Sequence, residues 1–227
     1  MKVGVLLSGC GVYDGAEIHE SVLALLAIEE AGAEAVCIGI DQPQHHVVNH
    51  MNGKEQDEER NMLIEASRIA RGNIKNIKDV EPADIDMLLI PGGFGSAKNF
   101  TSWAFDGPEG EVLPEVKLLL LNLVNIGKPI VALCVSPVVV AKAFEDSDIQ
   151  PFLTIGNKED GSPYDIGGFT QGLEATGAKT TMKKASEINV DSANKIVTAP
   201  CYMMDTNLTT LRNNIKDAVS AGIDLVG

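Results

Sequence analysis

The chain has 227 residues, of which 44% are hydrophobic, with Gly and Pro scattered rather than clustered; this is the profile of a globular protein with a substantial core. Asp and Glu outnumber Lys and Arg 32 to 18, and the formal charge of −14 repels phosphate backbones and anionic lipid heads. Nucleic-acid and membrane partners are disfavoured on that ground, and the acidity reads first as a source of solubility.

The first apolar run, KVGVLLSG (2–9), is closed by glycines and predicts a buried strand. It is too short for a signal h-region or a bilayer span, and no later run approaches the necessary length. From Glu17 to Ala31 the apolar positions Ile18, Val22, Leu25, Leu26 and Ile28 recur at helical spacing, and Gly32 supplies a stop. AEAVCIGI (33–40) reads as a second buried strand, so strand, helix and strand form a right-handed parallel crossover. VVNHMNGKEQ then breaks the rhythm. Its Asn52-Gly53 pair is a two-residue hairpin signal, and residues 47–56 are expected to form a small β-excursion.

A helix is expected over 58–71, ended by Gly72, followed by a strand in DMLLIPGG (86–93). A helix over 111–126, ended by Gly127, leads to the strand KPIVALC (128–134) and a helix through Phe144. Beyond Pro151 come a short strand LTIG, a helix near 164–176, strands near 179–183, 187–190 and 195–200, and a last helix over 206–221. No repeat, linker or low-complexity block interrupts the series. It predicts a single α/β domain over residues 1–227, with a mostly parallel sheet and helices on both faces. Such sheets bind ligands beyond the carboxyl ends of their strands, here in the loops after Leu7, Ile90, Leu133 and Thr198.

Cys134 stands where a strand turns directly into a helix, the setting of a nucleophile elbow. The positions two before and two after it, Ala132 and Ser136, are small enough for that tight turn, and Pro137 suits the first helical position. The helix start offers unpaired N–H groups and partial positive charge, which are expected to favour thiolate and lower the thiol pKa. A core role, as a small buried hydrophobe, is the competing reading. All four histidines (His19, His45, His46, His50) precede residue 51, so a nucleophile–His–Glu triad of the amidotransferase kind cannot be assembled after Cys134. The four cysteines form no CxxC pair, and a reducing, cytoplasmic location is expected.

Three strings, GAEIHE (15–20), LLIPGGFGSAKNF (88–100) and IVALCVSP (130–137), make the chain resemble the ThiJ/PfpI group of the class I glutamine amidotransferase-like superfamily, with a flavodoxin-like architecture. SGCGVYDGAEIHE, NHMNG and TAPCYM are similar in particular to the bacterial enhancing-lycopene-biosynthesis branch. The resemblance implies that Cys134 is the nucleophile, that Glu20 is the glutamate hydrogen-bonded to its sulfur, and that Gly93 and the Val135 N–H form the oxyanion site. Glu17 is the reserve for Glu20. It further implies conversion of glyoxal or a similar small 2-oxoaldehyde to a 2-hydroxy acid, a link to isoprenoid production, no cofactor or metal, and a homodimer. A Glu20 beside an anionic sulfur would hold its proton, since like charges raise a carboxyl pKa. The insertion CGVYD, and the lack of a histidine that some relatives place after the elbow, depart from the group and bear on substrate scope. The alternative function is a stress-response or redox-sensing protein acting through Cys134.

Other signals are weaker. GCGVYDG invites a dinucleotide loop, but Asp14 stands where the third glycine belongs. His46 and His50 are four apart in a hairpin rather than on a helix, so a solvated loop is the better reading. Cys10 and Cys201 lie at strand ends on the same edge as Cys134, where they either line the pocket or form a redox pair with it.

Overall fold

The computed structural model describes residues 1–227. The first half of the chain runs β1 (Lys2–Leu6), α1 (Ile18–Glu30), β2 (Glu34–Gly39), β3 (Val48–Asn49), β4 (Lys54–Glu55), α2 (Met62–Ile69), β5 (Lys75–Asn76), β6 (Met87–Ile90), α3 (Trp103–Asp106) and α4 (Pro114–Asn125). The second half runs β7 (Ile130–Leu133), α5 (Pro137–Phe144), β8 (Phe152–Leu153), α6 (Ile166–Ala175), β9 (Lys179–Thr180), β10 (Asn189–Asp191), β11 (Ile196–Ala199) and α7 (Leu208–Asp224).

Seven strands form one sheet in the order β10-β11-β7-β6-β1-β2-β5, parallel throughout except at the β10–β11 edge. Its central strands β6 and β7 are apolar at every position and fully buried, as expected of strands covered on both faces. Helices α1 and α7 pack together on one face, and α4 and α5 on the other. The chain builds outward from β1 through β2 to β5, then returns to the other side of β1 as β6. The strand order therefore reverses between β1 and β6. In open α/β sheets the crevice above such a reversal is where ligands bind. The loops after β1, β6 and β7 all open onto it.

The expected α/β architecture is present, and apart from β5 and the short α3, which have no counterpart in the sequence pattern, the differences lie at element ends. Helix α2 starts at Met62 rather than near residue 58. Gln44 N donates to Arg60 O and Met62 N to Gln42 O, which holds residues 60–62 extended until the Asn61 side chain caps the helix by accepting from Ile64 N at 3.1 Å. Helix α4 starts late for the same reason: Ser102 N donates to Glu111 O and Leu113 N to Phe100 O, and Pro114 takes the first helical position. Strand β5 has no apolar signal and was not expected. Strands β3 and β4 form the expected hairpin, but residues 50–53 make a four-residue turn, and Gly53 (φ 70°) closes it by donating to Asn49 O at 2.8 Å.

Candidate active site

Cys134 follows β7 directly and has φ 57°, in the left-handed region. A non-glycine residue there carries strain of about 1–3 kcal/mol and persists only where its surroundings over-determine it. Here Cys134 N donates to Ala199 O of β11 at 2.9 Å, and Ser136 N closes the turn onto Leu133 O at 2.9 Å. Ser136 Oγ donates to Pro91 O at 2.6 Å and lies 2.8 Å from Ser96 Oγ, at the start of a π-helical turn. The elbow is thus clamped to the Pro-Gly-Gly loop after β6.

Helix α1 delivers the carboxyl group. Glu17 caps it, Oε2 accepting from Glu20 N at 2.7 Å, and Glu17 N donates to Gly92 O at 2.9 Å. Glu20, one turn in, is fully buried. Its Oε2 accepts from Gly92 N at 2.8 Å, its Oε1 from Tyr202 N at 3.3 Å, and the Cys134 thiol faces the same group. The structure therefore brings Glu20, rather than Glu17, to the sulfur. Burial, and then the neighbouring Glu17, push the Glu20 pKa up to about 8 against the pull of those three donors.

The expectation of a lowered thiol pKa is overturned. Burial, then the negative charge of Glu20, push Cys134 well above the ordinary thiol value, and the Gly93 N–H facing the sulfur only partly offsets them. The physical reason is one of magnitude. A helix N-terminus contributes about 0.3–1 kcal/mol to a nearby anion, whereas burying a charge costs several kcal/mol. Cys134 is 5% exposed. At neutral pH the pair therefore holds both protons, and when one leaves, thiol and carboxyl share a single negative charge.

Cys134 lines a small pocket with a cavity volume of about 20 Å³. Its walls are mostly apolar: Val12 from the CGVYD insertion, Phe94 after the Pro-Gly-Gly turn, Phe169 on α6, Met203, and the rings of Tyr164 and Tyr202. Gly93 and Val135 line it too, and neither N–H is taken by a backbone acceptor. The candidates Cys134, Glu20, Gly93 and Val135 thus converge on one spot.

Gly92 makes that convergence possible. A Cβ there would lie 2.4 Å from Cys134 Cβ, 2.9 Å from its sulfur and 2.6 Å from Glu20 Oε2. We expect Gly92→Ala to cost about 1–3 kcal/mol of stability by overpacking. It should also pry the thiol from the carboxyl, cutting turnover by roughly 100-fold, as a misplacement near 1 Å does. Denaturant midpoints and initial rates check both.

Several residues around the site carried no sequence signal. Tyr164 lies in an irregular loop. Tyr202 follows Cys201 but has no periodic partner. His19 precedes the elbow in sequence, yet its Nδ1 lies 3.1 Å from the hydroxyl of the pocket-lining Tyr202 and 4.0 Å from Glu17 Oε1. Neither Cys10 nor Cys201 lines the pocket. Cys10 sits among Asp14, Glu65 and Arg68, while Cys201 is sealed in the core, its thiol donating to Asn214 Oδ1 at 3.6 Å. Asp14 ties the insertion to the hairpin, its Oδ2 accepting from Val48 N at 2.6 Å. His46 and His50 point to different carboxyl groups, those of Glu55 and Asp14, and no three His, Cys, Asp or Glu side chains converge on a metal-sized site.

No family model matches the chain. It is 38% identical, over its whole length and 84% of the relative's, to the Homo sapiens glutamine amidotransferase-like class 1 domain-containing protein 3, mitochondrial. The Rattus norvegicus ES1 protein homolog, mitochondrial, matches to the same extent. Among solved structures, an isoprenoid biosynthesis protein with an amidotransferase-like domain from Ehrlichia chaffeensis superposes with TM-score 0.90, at 32% identity and full coverage of both chains. Glyoxalase III from Candida albicans shares the fold, with TM-score 0.59 at 16% identity over 97% of each chain. The mitochondrial names of the relatives overturn the expected cytoplasmic location. Unpaired cysteines indicate a reducing compartment, and the mitochondrial interior is one as much as the cytosol. No helix of the chain is long and apolar enough to cross a membrane.

Proposed function

The chain belongs to the glutamine amidotransferase-like class 1 domain family of ES1-type proteins, and from that premise we propose that it is a cysteine-dependent glyoxalase-type enzyme, converting glyoxal or a similar small 2-oxoaldehyde to the 2-hydroxy acid without a cofactor. The observation that carries this reading is the buried contact between Cys134 and Glu20 around Gly92, with Cys134 lining a small pocket beside the Gly93 and Val135 N–H groups that no backbone carbonyl takes.

The chemistry closes on these groups. After the pair has lost one proton, the thiol proton passes to Glu20 as sulfur bonds to the aldehyde carbon. The new oxyanion, held by Gly93 and Val135 N–H, takes that proton and becomes a hemithioacetal hydroxyl. Glu20 then removes the C1 hydrogen as a proton and the electron pair moves toward the second carbonyl. Return of the proton to C2, with transfer of the C1 hydroxyl proton to the C2 oxygen, leaves a thioester. Water cleaves it to the hydroxy acid and the free thiol. C1 is oxidised and C2 reduced by the same electron pair, so no outside oxidant or reductant enters.

The names of the Ehrlichia and Candida proteins support the isoprenoid link and the glyoxalase chemistry respectively. An exposed apolar row on α1, Ile18, Val22 and Leu26, supports a homodimer. The sensor alternative is weakened by the raised Cys134 pKa, because oxidation follows thiolate character and exposure. Incubation with glyoxal alone, followed by NMR, should show glycolate accumulating without glutathione or added metal. Unchanged glyoxal ends the enzymatic reading.

A further inference from the structure

We propose that the Tyr164 hydroxyl is the donor to the second carbonyl oxygen of the substrate, and so the group that makes the site select 2-oxoaldehydes over simple aldehydes. This rests on the reaction proposed above. When Glu20 takes the C1 hydrogen, negative charge develops on the C2 oxygen, two carbons from the sulfur. The Gly93 and Val135 N–H groups serve the C1 oxygen and leave the C2 oxygen without a partner.

The pocket offers few other candidates, because Val12, Phe94, Phe169 and Met203 give it an apolar wall. Glu17 accepts the α1 capping bond and has no fixed donor to offer. The Tyr202 hydroxyl is already bonded to His19 at 3.1 Å. Tyr164 is different: its backbone makes the residue's hydrogen bonds, and its hydroxyl has no partner in the protein. Its backbone and its ring are each held. Tyr164 N donates to Ser162 Oγ at 3.0 Å, which itself donates to Met203 O at 2.6 Å, and the Tyr164 ring stands edge-on to Phe94 with centroids 5.9 Å apart. A donor fixed before the charge appears stabilises it without reorganisation. Burial, then the negative charge of Cys134 and Glu20, hold this phenol protonated, with its pKa pushed up to about 12.

The test is Tyr164→Phe, which keeps the ring and removes the donor. Loss of one such donor lowers kcat by roughly 10²–10³-fold; KM for glyoxal should stay within a few-fold, and the rate of Cys134 alkylation by iodoacetamide should match wild type. With deuterated glyoxal the variant should show a larger isotope effect than wild type, since C1–H removal becomes limiting, a signature that a purely structural role would not produce. An unchanged kcat, or a fall matched by equally slower alkylation, overturns the proposal while leaving the enzyme reading in place. If the wild-type protein makes no glycolate, both fall together.

Discussion

Cys134→Ala should bring glyoxal turnover down to background, a loss of at least ~10³-fold, because the reaction as drawn needs a covalent bond to sulfur. No second nucleophile can take over: Cys201 is sealed in the core, and the other polar groups of the pocket are phenols and a carboxyl. The substitution keeps a Cβ and the backbone bonds to Ala199 and Leu133, so the elbow should hold its shape. Cys134→Ser is the companion variant. It restores a donor to Glu20 but offers a hydroxyl far too basic to ionise beside a buried carboxyl. Both variants are to be compared with wild type by the rate of glycolate formation and by circular dichroism. Glycolate production by a folded alanine variant at a substantial fraction of the wild-type rate would refute the covalent mechanism.

Glu20→Gln should show two effects of opposite sign. Turnover should fall by at least ~10²-fold, because amide nitrogen cannot shuttle the proton. Above about pH 8, where Glu20 is ionised, alkylation of Cys134 should nevertheless become faster, because the charge of Glu20, second only to burial among the causes that raise the thiol pKa, is gone.

Stability carries a third signature of the same variant. Below about pH 4.5, the ordinary carboxyl value, folded and unfolded chains both hold the Glu20 proton. Between there and about 8 only the folded chain holds it, so wild-type stability declines as pH rises and levels off above about 8. The span corresponds to roughly 5 kcal/mol at 1.36 kcal/mol per pKa unit. Gln has no such titration. Its amide sets an NH₂ against Gly92 N–H or Tyr202 N–H, an unfavourable contact worth about 1–3 kcal/mol. The variant should therefore be the less stable protein near pH 4.5, lose that deficit as pH rises toward 8, and be the more stable one above it. Urea melts across this range measure the difference, and a difference independent of pH would show that Glu20 is ionised in the folded state.

Much of the site was legible because it is written in short strings. IVALCVSP contains a buried strand, a cysteine with small neighbours and a proline ready to start a helix, all within eight residues. The apolar spacing of α1 and the glycines after β6 are equally local. The starts of α2 and α4 were misplaced because distant backbone pairs, Gln42 with Met62 and Ser102 with Glu111, hold those residues extended. The contact between His19 and Tyr202 spans 183 residues, and no window of the sequence contains both.

The amino-acid order by itself determined the succession of strands and helices, the place of the cysteine at a strand end, and a surface hostile to polyanions. Periodicity, turn chemistry and charge act over a few residues, and they can be read one segment at a time. Only the tertiary structure decided which carboxyl group meets the sulfur, which phenol is left without a partner, and on which side of neutrality the pair gives up its proton. Those depend on how completely water is excluded from Cys134 and Glu20, and exclusion is set jointly by α1, the Pro-Gly-Gly loop, the elbow and the segment after β11. Helix-end polarity favours a thiolate at this position, but the cost of burying the charge is larger, and that cost exists only once the chain has closed around it.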